Sequence, residues 1–338
     1  MYEGFYNLSR RPFKLTPDRS FLFPSKGHKR ALSYLLYGLE QREGFVVITG
    51  DIGMGKTLLI QTLFEELASR PIATARIAAA NLDAESVLPL VAAAFGRPFE
   101  GSGKTSLLRD LEQTLLQEPD YRDGAVLVVD EAQSFTREAL EELRILSNFE
   151  VGGRALIQVF LVGQTELRRI ASAPDMEQLR QRVIASYHLE PLDQDETTAY
   201  ITHRMETAGW ARDPELDDAV YTEVYKWSGG VPRRVNMIMD RLLLYGYLEE
   251  RHRLGVAELA TVIDEMALEV GAVQPEAPVD RQPEADAQQT PALEGLEQRM
   301  TKVERIQRFL LRHWFLQKSP QEQETDENGV PRREKGGR

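Results

Sequence analysis

The sequence predicts an α/β fold with a mostly parallel sheet of five strands, followed by a small domain made only of helices. Short apolar runs alternate with longer segments of helical spacing, which is the order of elements in a parallel sheet covered by helices. The central runs are apolar at almost every position, as in strands that are buried on both faces. We expect strands at 45–49, 72–77, 125–129, 155–162 and 185–189.

Composition limits the chemistry that the chain can perform. Of its 338 residues, 42% are hydrophobic and 28% are charged, which is typical of a globular protein with about two domains. The sequence contains no cysteine, which excludes disulfides, thiolate nucleophiles, iron–sulfur clusters and zinc sites with Cys ligands. The longest apolar runs are far shorter than the roughly 20 residues that span a bilayer, and the N-terminus lacks the pattern of an export signal. We therefore expect no membrane span and a cytoplasmic location.

The distribution of charge argues against nucleic acid as the principal partner. The chain has a formal net charge of −12, and residues 1–270 contain 30 basic and 41 acidic residues. An acidic folded part opposes a broad surface for phosphate backbones, because such surfaces are built from an excess of Lys and Arg. We therefore look first to proteins as partners.

After residue 190 the pattern becomes helical throughout. Asp193 and Glu196 form a start that resembles a capping box for a helix at 194–208. Asp213 followed by Pro214 predicts the next helix, with Pro214 at its first position. Three further boundaries are expected: a helix end at Gly229-Gly230, a helix from Val231-Pro232 to about Glu250, and a last helix over roughly 256–270.

These patterns divide the chain into consecutive parts. A proline-rich stretch nearly free of large apolar residues predicts a solvated linker. Apolar residues at near-heptad spacing then predict either a short coiled coil or docking helix, or a solvated amphipathic helix without a partner. The parts are an N-terminal segment with the first helix (1–44), the α/β domain (45–190), the helical lid domain (191–270), the linker (271–292), the amphipathic or coiled-coil helix (293–317) and a polar tail expected to be disordered (318–338).

A glycine-rich motif between the first predicted strand and the following helix indicates a phosphate-binding loop. Residues 50–57, GDIGMGKT, match G-x-x-x-x-G-K-[ST] in the strand, loop and helix context that such loops require. Glycines let successive backbone N–H groups turn toward a β-phosphate, assisted by the positive end of the helix. Lys56 should reach the β- and γ-phosphates, and the Thr57 hydroxyl should ligate Mg²⁺. The expected nucleotide-binding residues are Gly50, Asp51, Ile52, Gly53, Met54, Gly55, Lys56, Thr57 and Leu58.

Two carboxylates follow the third predicted strand. Asp130 would hold the magnesium ion, and Glu131 would orient and polarise the water that attacks the γ-phosphate. Alone, the pair could equally be a helix-capping turn, but the phosphate-binding loop upstream favours the catalytic interpretation. Ala132 and Gln133 complete the string DEAQ, which helicases with two RecA-like domains also use. We exclude a helicase because only about 140 folded residues follow, too few for a second parallel sheet.

Three further side chains are assigned roles around the γ-phosphate. Gln164 follows the strand expected beside the phosphate strand and can sense the γ-phosphate; a polar turn residue is the alternative. Arg182 is assigned to the site of a neighbouring subunit, where it would neutralise charge on the transferred group. Arg233, in the helical domain, would report the nucleotide state through a rigid-body movement. Each arginine could instead form a surface ion pair, and Arg180 stays an alternative to Arg182.

The combination of phosphate-binding loop, Asp-Glu strand, polar sensor and helical lid with an arginine resembles an AAA+ ATPase. Longer motifs are similar to those of the general secretion pathway protein A family. Within that family they most resemble the motifs of the subfamily associated with exosortase (PEP-CTERM) and exopolysaccharide loci. The resemblance implies ATP hydrolysis with Mg²⁺, ATP-dependent self-association, and partner proteins in an envelope secretion or exopolysaccharide system. The motifs, which span about 1–268, include MYEGFYNL, RPFKLTPD, EGFVVITGDIGMGKT, VVDEAQ, FLVGQTEL, LRQRVIASYHLEPLD and SGGVPRRVN.

The aromatic opening of the chain belongs to this family signature. Its side chains could pack around the adenine or over the edge of the sheet, but packing in a core is favoured because large aromatics stabilise mostly by burial. The five residues are Phe5, Tyr6, Phe13, Phe21 and Phe23.

The sequence departs from the secretion branch of the family and leaves other functions open. Members of that branch continue into a transmembrane helix and a periplasmic peptidoglycan-binding region, and we recognise neither here, so we expect no direct role at the cell wall. Any contact with the inner membrane would come through partners. Two alternative functions are a DNA-dependent ATPase of the transposition-regulator type, whose AAA+ domain is related, and a non-hydrolysing scaffold in which nucleotide holds an oligomer together.

Overall fold

The computed structural model of the protein describes residues 1–78, 82–96, 103–117, 123–151 and 154–271. Contacts divide the chain into two units, Met1–Gln274 and Pro275–Arg338. The expectations for the linker beyond residue 271, for the helix at 293–317 and for the tail lie outside the described residues.

The described part contains nine strands and twelve α-helices. None of these helices is long and apolar enough to cross a membrane. The strands are β1 Phe45–Gly50, β2 Ala73–Ala78, β3 Ala125–Asp130, β4 Glu150–Val151, β5 Arg154–Ala155, β6 Ile157–Gly163, β7 Val183–Leu189, β8 Glu215–Leu216 and β9 Arg253–Leu254. The helices are α1 Tyr2–Phe5, α2 Lys26–Gln41, α3 Lys56–Leu67, α4 Ala84–Ala94, α5 Lys104–Gln117, α6 Arg137–Leu146, α7 Thr165–Ala171, α8 Glu177–Gln181, α9 Gln194–Thr207, α10 Asp218–Ser228, α11 Pro232–Leu248 and α12 Val256–Gly271.

The five predicted strands are confirmed, and they form one parallel sheet in the order β2, β3, β6, β1, β7. The three central strands are buried at every residue, which explains their continuously apolar sequences. Because all five strands run in the same direction, their carboxyl ends meet at one edge of the sheet. The segments that follow β1, β3 and β6 are therefore neighbours.

Helices cover both faces of the sheet. Alternate residues of each strand point to opposite faces, so Val47 and Leu127 join the core beneath α4, α5 and α6. Val46 and Val128 point the other way, into the core beneath α2 and α3. The sheet is thus the middle layer of three, and its edges position the loops described below.

The region after residue 190 is helical as predicted, with one correction. Pro214 does not occupy the first position of a helix; α10 begins at Asp218 instead. The backbone of Glu215–Leu216 pairs in parallel with Arg253–Leu254, and the indole Nε1 of Trp210 donates to the Pro214 carbonyl at 3.0 Å. The pairing with the distant strand Arg253–Leu254 holds the segment in an extended conformation, so the local helix-start signal is overridden. The domain is therefore not made only of helices.

The aromatic residues of the N-terminal segment pack in a core, which confirms the favoured expectation. Tyr6, Phe13 and Phe21 are fully buried in the same core as α9, α10, α11 and α12, and Phe5 and Phe23 pack against it. This core belongs to the helical region and not to the edge of the sheet. The N-terminal segment is thus a structural part of the helical region, although the two are far apart in sequence.

A buried arginine fastens the N-terminal segment to α9. Arg204 donates from Nε to the Pro12 carbonyl at 2.6 Å and from Nη1 to the Tyr200 hydroxyl at 2.9 Å. Its guanidinium also lies over the Phe21 ring, 4.9 Å from the ring centroid. The charge is therefore both hydrogen-bonded and stacked on an aromatic face, the two conditions that make its burial tolerable.

Phe13→Ala should destabilise the protein by about 3–5 kcal/mol, because it removes a side chain with 0% exposure and leaves a cavity. The free energy of unfolding in urea measures the change. Leu268→Ala is the control: this leucine of the same helical region is 55% exposed, so its loss should cost less than about 0.5 kcal/mol. Equal losses in the two variants would contradict the packing described here.

Candidate functional site

The loop between β1 and α3 curls over the carboxyl edge of the sheet. Gly53 and Gly55 have φ values of +88° and +86°, which side chains rarely adopt. Glycine is also required at position 53 by space, since a Cβ there would lie 2.4 Å from the Cβ of Arg233. The predicted glycine positions are thus used to bring the loop against the first turn of α11.

Lys56 lies at the centre of this loop. It is only 6% exposed, and its Nζ donates to the carbonyls of Gly50 at 2.7 Å and Asp51 at 3.0 Å. Burial lowers the pKa of Lys56, and the negative charges of Glu131 and Asp130 offset part of that shift. An ammonium held by two neutral carbonyls can exchange these bonds for stronger ones to phosphate oxygens.

The side chains of the other loop residues differ in direction and in exposure. Asp51 turns toward α7, where its Oδ1 accepts a bond of 2.7 Å from the Thr165 hydroxyl. This contact explains how an acidic residue fits into a phosphate-binding loop. Ile52 is 63% exposed and Met54 is buried. The residues that line the adjacent cavity run from Ile52 through Gly53, Met54, Gly55, Lys56 and Thr57 to Leu58.

Asp130 ends β3 with a carboxylate that is almost fully buried. Its Oδ1 accepts from the backbone N–H of Glu131 at 2.9 Å, and its Oδ2 pairs with the guanidinium of Arg76. Arg76 is not among the site residues that the sequence predicts. A signal existed, because β2 alternates buried and exposed residues and a charged residue in such a strand marks the outward face.

Glu131 is the first residue after β3 and adopts a left-handed conformation with φ +52°. Its Oε2 accepts from the amides of Gln133 at 2.6 Å and Gln164 at 3.1 Å. Burial would raise the pKa of Glu131, but these two bonds and the charge of Lys56 outweigh it, and the pKa is lowered. The carboxylate is therefore held charged, as a general base must be.

Gln164 and Arg233 both lie at this site, as the sequence predicts. Gln164 follows β6, the strand beside β1, and contacts Glu131 directly. Arg233 begins α11, and its backbone N–H donates to the Gly53 carbonyl at 3.2 Å.

Arg182 lies elsewhere in the chain. Its carbonyl accepts from the N–H of Phe45 at 2.7 Å, where β1 begins, so it sits at the opposite end of the strands from the phosphate-binding loop. The structure therefore brings together every predicted site residue except Arg182. Its side chain cannot reach the loop of its own chain.

A cavity of about 350 Å³ lies between the loop, the N-terminal segment and the helical region. Its apolar wall includes Phe21, Phe23 and Pro232, so two of the N-terminal aromatics line the site as well as the core. Its buried polar floor is Asn236, whose Oδ1 accepts from the Tyr200 hydroxyl at 2.8 Å. An apolar cleft with a few fixed polar groups is the usual form of a ligand site.

His28 also lines this cavity and was missed from the sequence. Its Nδ1 is 2.9 Å from the Ser25 hydroxyl, while its Nε2 is closed to solvent. Burial lowers the pKa of His28. A Cβ at position 55 would lie 2.8 Å from Nε2, so the ring contacts the phosphate-binding loop. Only the folded chain brings this helix against the loop.

The residues present fit a magnesium ion bound together with a nucleotide. No cluster of three or more His, Asp or Glu that could hold a metal alone occurs within the described ranges. Mg²⁺ typically keeps several waters and takes one or two protein ligands beside phosphate oxygens. Thr57, which lines the cavity, and Asp130, which ends β3, would supply those protein ligands.

Comparisons of structure agree with this geometry. The ORC2 protein of Aeropyrum pernix, in ADPNP-ADP complexes, matches with a TM-score of 0.57 and 19% identity over 79% of this chain and 75% of that chain. CDC6P of Pyrobaculum aerophilum matches with a TM-score of 0.59 and 16% identity over 77% of this chain and 75% of that chain. At these identities the likeness shows the fold alone, which is the P-loop AAA+ fold.

Comparisons of sequence are more specific. The family model described as "AAA domain" matches residues 39–171. General secretion pathway protein A of Aeromonas hydrophila is 35% identical over 255 residues, which cover 75% of this chain and 46% of that relative. The chain thus spans about half the length of this curated relative. Since the matched sequence, the fold and the loop geometry agree, residues 39–171 form an AAA domain within a P-loop AAA+ fold, and the chain is similar over 255 residues to general secretion pathway protein A.

Proposed function

We propose that the protein binds ATP with Mg²⁺ and hydrolyses it. The observation that carries this proposal is the charged pair at the carboxyl edge of the sheet. Lys56 lies within a glycine-rich loop, and the carboxylate of Glu131 is oriented by two amides and influenced by the charge of Lys56. The ammonium of Lys56 suits a phosphate group, and the carboxylate of Glu131 suits a water molecule. AAA+ relatives in nucleotide complexes support the same choice of ligand.

Each part of the site has a defined task in this reaction. The loop amides and Lys56 hold the triphosphate, and the adenine occupies the cavity between the N-terminal segment and α11. Thr57 and Asp130 would hold Mg²⁺, which would supply positive charge beside the phosphate oxygens. Glu131 accepts a proton from water as the water oxygen attacks the γ-phosphorus. Gln164, bonded to Glu131, is placed to respond to the γ-phosphate.

The nucleotide cycle is proposed to move the helical region and to assemble subunits. Arg233 contacts the loop through Gly53, so replacement of ATP by ADP would change how α11 packs against the loop. Arg182 lies far from its own loop and would act on the γ-phosphate of a neighbouring subunit. The oligomer would thus depend on ATP at the subunit boundary.

The partners are proposed to be protein components of an envelope secretion or exopolysaccharide system, contacted from the cytoplasmic side. The name of the Aeromonas hydrophila relative supports the secretion part. The exosortase association rests on the resemblance of motifs alone. Residues 1–270 are acidic overall, which supports protein partners over nucleic acid.

Lys56→Ala should weaken ATP binding by about 100-fold or more, because it removes a charge-assisted contact to the phosphates. Glu131→Gln should keep ATP binding and lower kcat by about 10²- to 10⁴-fold, because the amide cannot accept the proton. Fluorescent-nucleotide titration and phosphate release measure the two effects. Lys226→Ala and Glu223→Gln are matched controls from an exposed ion pair on α10, and both should behave as wild type. Normal turnover by Glu131→Gln would contradict the assignment.

Arg182→Ala should lower turnover by about 10³-fold while leaving ATP affinity unchanged, if Arg182 acts between subunits. Mixing Arg182→Ala with Lys56→Ala chains should then restore activity, since one supplies an intact loop and the other an intact arginine. Arg180→Ala tests the alternative assignment and should keep normal turnover if Arg182 is the arginine that acts between subunits. Failure of the mixture to exceed the sum of its parts, although both variants assemble, would contradict a role in trans.

Duplex DNA should leave the ATPase rate unchanged at low and at moderate salt. The measurement is phosphate release by the full chain with and without duplex at two salt concentrations. A large stimulation that is lost at the higher salt would indicate phosphate contacts and favour a DNA partner instead.

A further inference from the structure

Gln133 lies in the short turn that follows Glu131, and both ends of its amide are used. Its Nε2 donates to the Glu131 carboxylate at 2.6 Å, and its Oε1 accepts from the backbone N–H of Gln164 at 2.9 Å. One side chain therefore connects the residue after β3 with the residue after β6. None of the roles given above requires such a connection.

The packing around this amide leaves it little freedom. A Cβ at position 163 would lie 2.6 Å from Gln133 Oε1, so glycine at the end of β6 provides the space that the amide occupies. The turn Ala132–Ser134 is closed by the Ser134 N–H, which donates to the Glu131 carbonyl at 2.9 Å. The backbone that carries Gln133 is thus fixed relative to the carboxylate that it contacts.

The bonds to Glu131 are arranged unequally on its two oxygens. Gln133 and Gln164 both donate to Oε2, at 2.6 Å and 3.1 Å. Neither amide donates to Oε1, so these two bonds orient the carboxylate through one oxygen only. A general base needs this arrangement, because one oxygen fixes its direction and the other receives the proton.

We propose that Gln133 is a positioning residue for ATP hydrolysis, which directs the Glu131 carboxylate at the water and ties it to the sensor Gln164. This inference rests on the proposed function. In the step concerned, the water oxygen forms a bond to the γ-phosphorus and one water proton passes to Glu131 Oε1. The bond from the γ-phosphorus to the bridging oxygen breaks, and ADP leaves with the electron pair. Gln133 touches neither ATP nor water and acts through Glu131.

Two substitutions separate this role from a purely structural one. Gln133→Met keeps the length of the side chain and removes both hydrogen bonds. Gln133→Glu retains the acceptor for the N–H of Gln164 but replaces the donor to Glu131 with a like charge. If Gln133 acts through Glu131, both variants should lose kcat. If Gln133 only secures the turn after β6, Gln133→Glu should remain active.

The experiment measures kcat, KM, the Kd of ATP with Mg²⁺ and the thermal midpoint for the full chain. We expect kcat to fall about 10- to 100-fold in both variants, the effect of losing a bond that orients a charged group, with Kd within about twofold of wild type. Gln113→Met and Gln113→Glu are matched controls at an exposed glutamine of α5 and should change none of these values.

Three results would overturn the proposal: an unchanged or higher kcat in Gln133→Met, a kcat near wild type in Gln133→Glu, or a parallel loss of ATP affinity and thermal midpoint in both. Failure of the proposed function itself is distinct, since wild type would then release no phosphate, and the assignment of Gln133 would fall with it.

Discussion

The contact between the phosphate-binding loop and the first turn of α11 is the constraint on which the rest of the structure depends. Arg233 can approach the loop only because Gly53 lacks a side chain, and its N–H bonds to the Gly53 carbonyl. The same helix carries Asn236, which is joined through Tyr200 to Arg204 and so to the N-terminal segment. A ligand seated on the loop therefore meets the helical region and the N-terminal segment at once.

The charges at the site would favour a cation beside a bound triphosphate. Asp130 and Glu131 both lie at the carboxyl edge of the sheet, where Asp130 is almost fully buried, and their negative charges would repel phosphate oxygens. Lys56 offsets part of this repulsion, and Arg76 is already paired with Asp130. A divalent cation that takes Asp130 as a ligand would turn one repulsive group into an attractive one. The arrangement thus favours binding of the nucleotide together with its metal.

The sequence predicts those features of the fold that depend on residues close together in the chain, and it does not reveal contacts between distant residues. The five strands and the loop at 50–57 are set by neighbouring residues, so spacing alone identified them. The bond between Arg204 and Pro12, 192 positions apart, has no local signature. At Pro214 the sequence has a local signal for a helix start. The pairing of Glu215–Leu216 with Arg253–Leu254 keeps this segment extended instead.

At the site itself the same distinction holds. Spacing placed Asp130 and Glu131 beside the loop, but it could not reveal that Gln133 reaches the end of β6 or that Arg76 faces Asp130. These contacts depend on the order of strands, which puts β3 between β2 and β6.

The position of Arg182 bears on whether one chain can form a complete site. The cations that line the cavity are Lys14, Lys56, Arg204 and Arg233, and Arg204 is already committed to Pro12 and Tyr200. Arg182 precedes β7, a strand of seven residues, so about 20 Å of strand separates it from the carboxyl edge. No side chain spans that distance. If charge on the transferred phosphoryl group is to be neutralised by an arginine at this position, the arginine must come from a second copy of the chain, and hydrolysis becomes a property of the assembled protein.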